Sequence, residues 1–293
     1  MQLSRRDFIL FAAAIPGVLA LAASDSLGAS ASSASEGKTT MKYREITIAH
    51  FSPTGSTAKI AVHLGNALAD RVTQLDLSAQ KLEAHSVSTG ISIVAVPVYS
   101  GRVPARAVEA IRLLSGNGQP CVAVVVYGNR AFDDALIELM DILGEQNFKI
   151  IAAGGFIAQH ALVAEIATGR PDAKDLADVN SFGQTILDIA ASGKISTSLQ
   201  VPGNRPYVTS PASKIPIMVG ESCINCGRCA EHCPVAAIPI DSFSSTNIEK
   251  CILCMRCVCN CPVDARSLPQ QAQEKLSAFL QKYAERRDPQ TFI

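Results

Sequence analysis

Ile46-Thr47-Ile48-Ala49-His50-Phe51-Ser52-Pro53-Thr54-Gly55-Ser56-Thr57 decides how the first half of the chain is read. An apolar, largely β-branched run stops in a turn rich in hydroxyls, which predicts a short strand and the loop leaving it. Ile60, Ala61, Leu64, Ala67 and Leu68 then recur on one face of a helix. The pattern repeats outward from there. Ile91 to Val96 predicts a strand, Pro97-Val98-Tyr99-Ser100-Gly101 a turn, and Pro104 the first turn of a helix. Cys121 to Val126 is a third apolar run, and Phe132, Ala135, Leu136, Leu139, Met140 and Leu143 share a helix face beyond it. Lys149 to Phe156 predicts another strand and Asp172 to Ala191 a closing helix. Strands apolar throughout, alternating with helices, predict an α/β fold over residues 41–192: a doubly wound parallel sheet covered on both faces. Ligands of such sheets bind at the carboxyl ends of the strands. The loops at 52–57, 97–103 and 127–132 are therefore expected to line one crevice.

The first loop has its own chemistry. Ser52, Thr54, Ser56 and Thr57 offer hydroxyls, Gly55 permits close backbone approach, and the following helix presents free N–H groups. That suits an anion without a lysine. The Gly-Lys-Ser/Thr ending of nucleoside triphosphatases is missing, so a monophosphate is the expected guest. Such turns also occur as ordinary punctuation, and Tyr99 and Tyr127 would serve equally as packing residues. The run Ser52-Pro53-Thr54-Gly55-Ser56-Thr57 with Ala61 and Leu64 resembles the phosphate loop of flavodoxins. The resemblance implies a flavodoxin-like fold with FMN, its phosphate on Ser52, Thr54, Gly55, Ser56 and Thr57. It implies Pro97, Tyr99, Ser100 and Gly101 flanking the flavin ring, and Tyr127, Gly128, Asn129 and Arg130 at its pyrimidine edge. His50 departs from the family, which prefers an aromatic there; Phe51 is next to it.

Residues 193–219 hold Pro202, Pro206, Pro211 and Pro216 and read as a stiffened linker. Beyond it Cys223-x2-Cys226-x2-Cys229-x3-Cys233-Pro234 recurs as Cys251-x2-Cys254-x2-Cys257-x3-Cys261-Pro262, each ligand 28 residues after its counterpart. Ile224/Ile252, Arg228/Arg256, Val235/Val263 and Ala237/Ala265 extend the repeat, which predicts a pseudo-twofold unit. Of ten cysteines nine fall between Cys223 and Cys261, which is metal-ligand spacing and not a disulfide framework. Cysteine triplets at one offset are also not the paired ligands of zinc. The segment closely resembles two-cluster bacterial ferredoxins, a small α+β domain in which the cysteine before proline ligates the opposite cluster. The resemblance implies one 4Fe-4S cluster on Cys223, Cys226, Cys229 and Cys261 and a second on Cys251, Cys254, Cys257 and Cys233. Cys259 is unmatched in the repeat and reads as a spare thiol, and Cys121 as core. His232 reads as a surface residue beside Cys233. His160 is a candidate for the flavin crevice or for plain packing.

At the start, Ser4-Arg5-Arg6-Asp7-Phe8 precedes an apolar run to Ala23. The run is shorter than the ~20 residues of a membrane span and resembles a twin-arginine signal. Residues 1–40 are thus expected to be a signal peptide and linker. Export to the periplasm is expected, or a cytoplasmic protein should translation start at Met41; no membrane span is expected in the mature chain. Twenty-six basic and 26 acidic residues cancel, which argues against nucleic acid as a partner. The expected organisation is 41–192, a flavodoxin-like domain; 193–219, a linker; 220–266, a two-cluster ferredoxin domain; and 267–293, a C-terminal helix. The expected function is electron transfer between FMN and two 4Fe-4S clusters, with external redox proteins docking on the ferredoxin part. One alternative is a flavin-dependent reductase of a small substrate, with Arg102 and Arg130 holding an anion. Another is a non-redox cluster protein with a degenerate flavodoxin part.

Overall fold

The computed structural model describes residues 41–88, 90–193, 198–209 and 214–293. The leader expected over 1–40 lies outside them. The chain runs β1 (Tyr43–His50), α1 (Ser56–Leu68), β2 (Ala69–Asp76), β3 (His85–Ser86), β4 (Ser92–Pro97), α2 (Ala105–Ile111), β5 (Leu114–Ser115), β6 (Pro120–Tyr127), α3 (Ala135–Glu145), β7 (Lys149–Ile157) and α4 (Ala173–Ser192). The second part holds β8 (Met218–Val219), α5 (Arg228–Glu231), α6 (Arg256–Cys259), β9 (Arg266–Ser267), α7 (Gln270–Leu280) and β10 (Gln290–Phe292).

The main sheet is ordered β10-β7-β6-β4-β1-β2. Its five parallel strands, counted among themselves, read 2-1-3-4-5, the flavodoxin-like doubly wound order. Side chains alternate between two cores. Ala49, Phe51, Val94, Val96, Ala123 and Val125 face Ile111 of α2 and Leu136, Leu139 and Leu143 of α3. Ile46, Ile48, Ile93, Ala95, Val122 and Val124 face Ile60 and Leu64 of α1 and Val179, Phe182 and Ile186 of α4. Burial on both faces is why β4 and β6 read as unbroken apolar runs. α4 starts at Asp172 in a capping box with Asp175.

Three features depart from the sequence expectation. β2 was not foreseen: Ala69-Asp70-Arg71-Val72-Thr73-Gln74-Leu75-Asp76 is an edge strand, polar and mostly exposed. The helix expected from Phe132 begins at Ala135; Phe132 lies in the turn before it, packed edge-on against Tyr127 at 5.6 Å. The C-terminal stretch expected as one helix ends its α-helical part at Leu280, passes through a 3-10 turn, and returns as β10. β10 pairs antiparallel with β7, Phe292 opposite Ala153, so the sheet is mixed.

The cysteine-rich part is a small repeat closed by β8 and β9, with Val219 opposite Arg266. The 28-residue offset reappears in the backbone. Asn225 and Leu253, Gly227 and Met255, and Ala236 and Asp264 all take positive φ. Ala237 N–H donates to Cys233 Sγ and Ala265 N–H to Cys261 Sγ, each at 3.2 Å. The described residues belong to one compact unit. Among the described residues no helix is long and apolar enough to cross a membrane.

Candidate functional site

The loop leaving β1 is built as a helix entry open to an anion. Ser52 Oγ accepts the Ala58 N–H at 2.9 Å, and the Gly55 N–H closes the turn on Ser52 O at 3.2 Å. Ser56 and Thr57 stand in the first turn of α1, where N–H groups lack intrahelical acceptors. No acidic side chain occupies that turn. Gly55 has φ 88°, and a side chain there would meet open space but a strained backbone. Thr54 is exposed, with its hydroxyl 3.4 Å from Ser56 Oγ. These groups fit a phosphate.

The second loop is a tight reversal. Tyr99 and Arg102 exchange backbone hydrogen bonds of 3.0 and 3.1 Å across Ser100 (φ 50°) and Gly101 (φ 81°). A Cβ on Gly101 would lie 2.4 Å from Asp133 Oδ2. Arg102 is anchored by the buried Glu138, which accepts its Nε at 2.8 Å, its NH2 at 2.7 Å, and the Val103 N–H at 2.8 Å. The carboxylate beside it raises the Arg102 pKa. The guanidinium also lies over the Tyr207 ring at 4.8 Å. Arg102 is therefore part of the loop's scaffold, its guanidinium engaged with Glu138 rather than open to an anion.

The third loop divides in use. Tyr127 is buried in the core, and burial raises its pKa. Gly128 backs onto His160, whose Cδ2 would lie 2.3 Å from a Cβ there. The buried Asn129 donates to Tyr283 O at 2.5 Å and Glu285 O at 2.8 Å, which ties down the C-terminal segment. Arg130 is paired with Asp133. The side chains of Asn129 and Arg130 are thus engaged within the protein. His160 Nδ1 accepts from the Leu162 and Val163 N–H groups, both at 3.2 Å. Burial, helped by Arg130, pushes its pKa down to about 4.

The eight repeated cysteines gather in two cavities. One is lined by Cys233, Cys251, Cys254 and Cys257 together with Ile238 and Met255. The other is lined by Cys223, Cys226, Cys229 and Cys261 with Phe243 and Arg266. All eight thiols are free, and in each cavity a triplet is joined by the cysteine that precedes proline in the other half. Burial pushes the Cys254 thiol up to about 12 and Cys257 to about 11, and their cysteine neighbours add to it. Four thiolates share such a space only when a cationic centre compensates them. A four-thiolate donor set fits a 4Fe-4S cluster.

The first cavity is the inner one, because it meets the carboxyl edge of the sheet. Burial pushes the Tyr99 pKa well above the usual value, and the Cys254 and Cys259 thiols add to the rise. Arg256 donates to Ser78 O at 3.1 Å, and Gln80 donates to Cys233 O at 3.2 Å. Ser78 Oγ in turn accepts the Ser52 N–H at 2.6 Å. One loop, residues 76–80, thus touches both the anion-binding turn and the cysteine repeat. Sequence reading passed over Ser78 and Gln80, which carry no motif; Arg256 was visible only as the repeat of Arg228. The outer cavity includes the exposed Cys226.

Residues 218–238 match the family model of the 4Fe-4S binding domain. No curated protein matches the chain. Among solved structures, oxidised flavodoxin 1 from Bacillus cereus is 15% identical over 49% of this chain and 97% of that one, with a TM-score of 0.35. A flavodoxin from Streptococcus pneumonia TIGR4 is 17% identical over 50% of this chain and 99% of its own, TM-score 0.35. Rubredoxin oxygen:oxidoreductase from the anaerobe Desulfovibrio gigas is 15% identical over 54% of this chain, TM-score 0.38; the match spans 38% of that protein's length.

Proposed function

We propose that the chain is an electron carrier that holds FMN at the crevice and a 4Fe-4S cluster in each cysteine cavity. FMN exchanges one or two electrons and each cluster one, so the pair interconverts two-electron and one-electron traffic. Ser52, Gly55, Ser56 and Thr57 receive the phosphate, and the turn at Tyr99 borders the ring. Cys233, Cys251, Cys254 and Cys257 hold the inner cluster; Cys223, Cys226, Cys229 and Cys261 hold the outer one. Partner redox proteins dock at the outer set, where Cys226 is exposed. The leader directs export of the folded protein.

The observation carrying this reading is the contact between the two parts. Arg256 donates to Ser78 O, and Gln80, on the same loop, donates to Cys233 O of the inner set. A carrier needs its stations adjacent, and a reductase pocket would need free polar groups instead. Arg102 and Arg130 are both committed to carboxylates. The test is anaerobic purification followed by acid extraction of flavin and an iron and sulfide count. The expected result is about one FMN and about eight irons per chain. A preparation with iron but no flavin, after incubation with FMN, refutes the carrier; one with neither refutes the whole reading.

A further inference from the structure

The flavodoxin-like part grips the inner half of the repeat at three points. Arg256 donates to Ser78 O at 3.1 Å and lies 3.7 Å from the Asp76 carboxylate, its side chain only 17% exposed. The Gln80 amide donates to Cys233 O at 3.2 Å. Ile252 packs against the core cluster that includes Phe51 and Leu77. The 28-residue offset carries Ile252 to Ile224, Arg256 to Arg228 and Cys233 to Cys261. The first three line the inner cavity and their counterparts the outer one. The counterparts are left open. Ile224 is 61% exposed and Arg228 is exposed. Among the described residues no carboxylate pairs with Arg228, not even Glu231 one turn on, and Cys261 O accepts only the Asp264 N–H, at 3.4 Å. A large aliphatic side chain left open beside an unpaired guanidinium has the form of a recognition surface.

We propose that the outer half docks a partner protein in the way the inner half docks the flavodoxin-like part, through Ile224, Arg228 and Cys261 O. This rests on the carrier reading above. The partner is a one-electron redox protein whose centre lies beside a loop offering what residues 76–80 and the core beneath them offer inside the chain. That is a carboxylate and a carbonyl for Arg228, an N–H donor for Cys261 O and an apolar socket for Ile224. Charge selects the partner, since a carboxylate opposite Arg228 speeds encounter and a lysine there slows it. One electron passes between the outer cluster and the partner's centre, and no bond is made or broken. The partner is not a second copy of the chain, because each copy's 76–80 loop is already engaged by its own inner half.

The test uses two high-potential acceptors of opposite charge, plastocyanin with an acidic patch and the lysine-rich cytochrome c, each mixed with the reduced full chain in anaerobic stopped flow at low salt. Arg228→Gln is expected to lower the second-order rate constant for plastocyanin at least about threefold and Arg228→Glu at least about tenfold, with cytochrome c reduced as fast or faster. Ile224→Asp should slow plastocyanin as well and replaces an Arg228 variant that fails to accumulate. Arg44→Gln removes the same charge at the amino end of β1 and should change neither rate by more than about twofold. Binding is read without turnover by adding oxidised chain to isotope-labelled reduced plastocyanin; wild type should shift the acidic-patch resonances and Arg228→Gln should weaken that binding by a similar factor. Equal losses in Arg228→Gln and Arg44→Gln, or no loss in the Arg228 and Ile224 variants, overturn the docking role. A dimer of the chain in sedimentation that Arg228→Gln dissolves also overturns it, by making the occupant a second copy. Wild-type protein that carries no cluster, or reduces neither acceptor, overturns the carrier reading instead.

Discussion

Replacing Glu138 tests whether the crevice depends on a buried carboxylate outside it. Glu138 is 6% exposed and accepts three hydrogen bonds, two from Arg102 and one from the Val103 N–H. Glu138→Gln keeps the shape but leaves one oxygen where two were used, and turns an amide N–H₂ toward the donors of Arg102. Removing one partner of a buried ion pair costs about 3–5 kcal/mol. Arg102 keeps a 30% exposed side chain and a bond to Val208 O, so water and that carbonyl recover part of the loss. We therefore expect about 2–3 kcal/mol, below most of that range. The change also reaches the site, because the backbone of Arg102 closes the turn that carries Tyr99. If 1.4 kcal/mol of it goes into ordering that turn for the ligand, the Kd for FMN rises about tenfold. Urea unfolding under anaerobic conditions reads the first quantity and quenching of FMN fluorescence the second. A variant within about 0.5 kcal/mol of wild type, the ordinary scatter of surface substitutions, with unchanged flavin affinity, would show that the buried pair does not hold the loop.

Acidification should destabilise the protein through His160. Its folded pKa of about 4 lies below the unfolded 6.5, so between these values the unfolded chain binds the extra proton and stability falls as pH falls. From pH 7 to pH 5 the loss is about 2 kcal/mol, seen as the excess pH dependence of wild type over His160→Asn in denaturant unfolding; parallel profiles would refute it. Gly55→Val forces a β-branched residue to φ 88° and should weaken FMN binding at least about tenfold, with a strain of about 1–2 kcal/mol. An unchanged Kd would place the phosphate elsewhere. Cys254→Ser and Cys226→Ser should each lower the iron content from about eight toward about four per chain, while Cys121→Ser and Cys259→Ser leave it unchanged by elemental analysis.

The parts that were legible in the sequence are those whose cause is local. β4 and β6 declare themselves because both faces are buried, and the helix after Gly55 because its apolar residues fall on one side. The cysteine repeat is legible from spacing alone, and even the left-handed residues at Asn225 and Leu253 follow its offset. β2 was hidden because an edge strand is selected to be polar, so its pairing with β1 leaves no apolar signature. β10 was hidden because three residues become a strand only by meeting the free edge of β7. The same reason hides the junction. Arg256 and Ser78, like Gln80 and Cys233, are distant in sequence, and none carries a mark of its partner.

That junction also changes how the chain should be thought of. Two independently folded carriers on a linker would exchange electrons at a rate set by how often they collide. Here Arg256 is bonded to Ser78 O and Gln80 to Cys233 O, so the inner cysteine set is held against the carboxyl edge of the sheet. The loop at 76–80 supports the Ser52 turn on one side and the repeat on the other. Changing it should therefore disturb the two parts together. Ser78→Ala removes only the acceptor of the Ser52 N–H and leaves the carbonyl that Arg256 uses. If the parts are coupled through this loop, that variant alters the rate of electron exchange between flavin and clusters in stopped-flow reduction, and the iron content stays whole. If exchange is unchanged while FMN affinity falls, the loop serves the turn alone and the repeat is held by its other contacts.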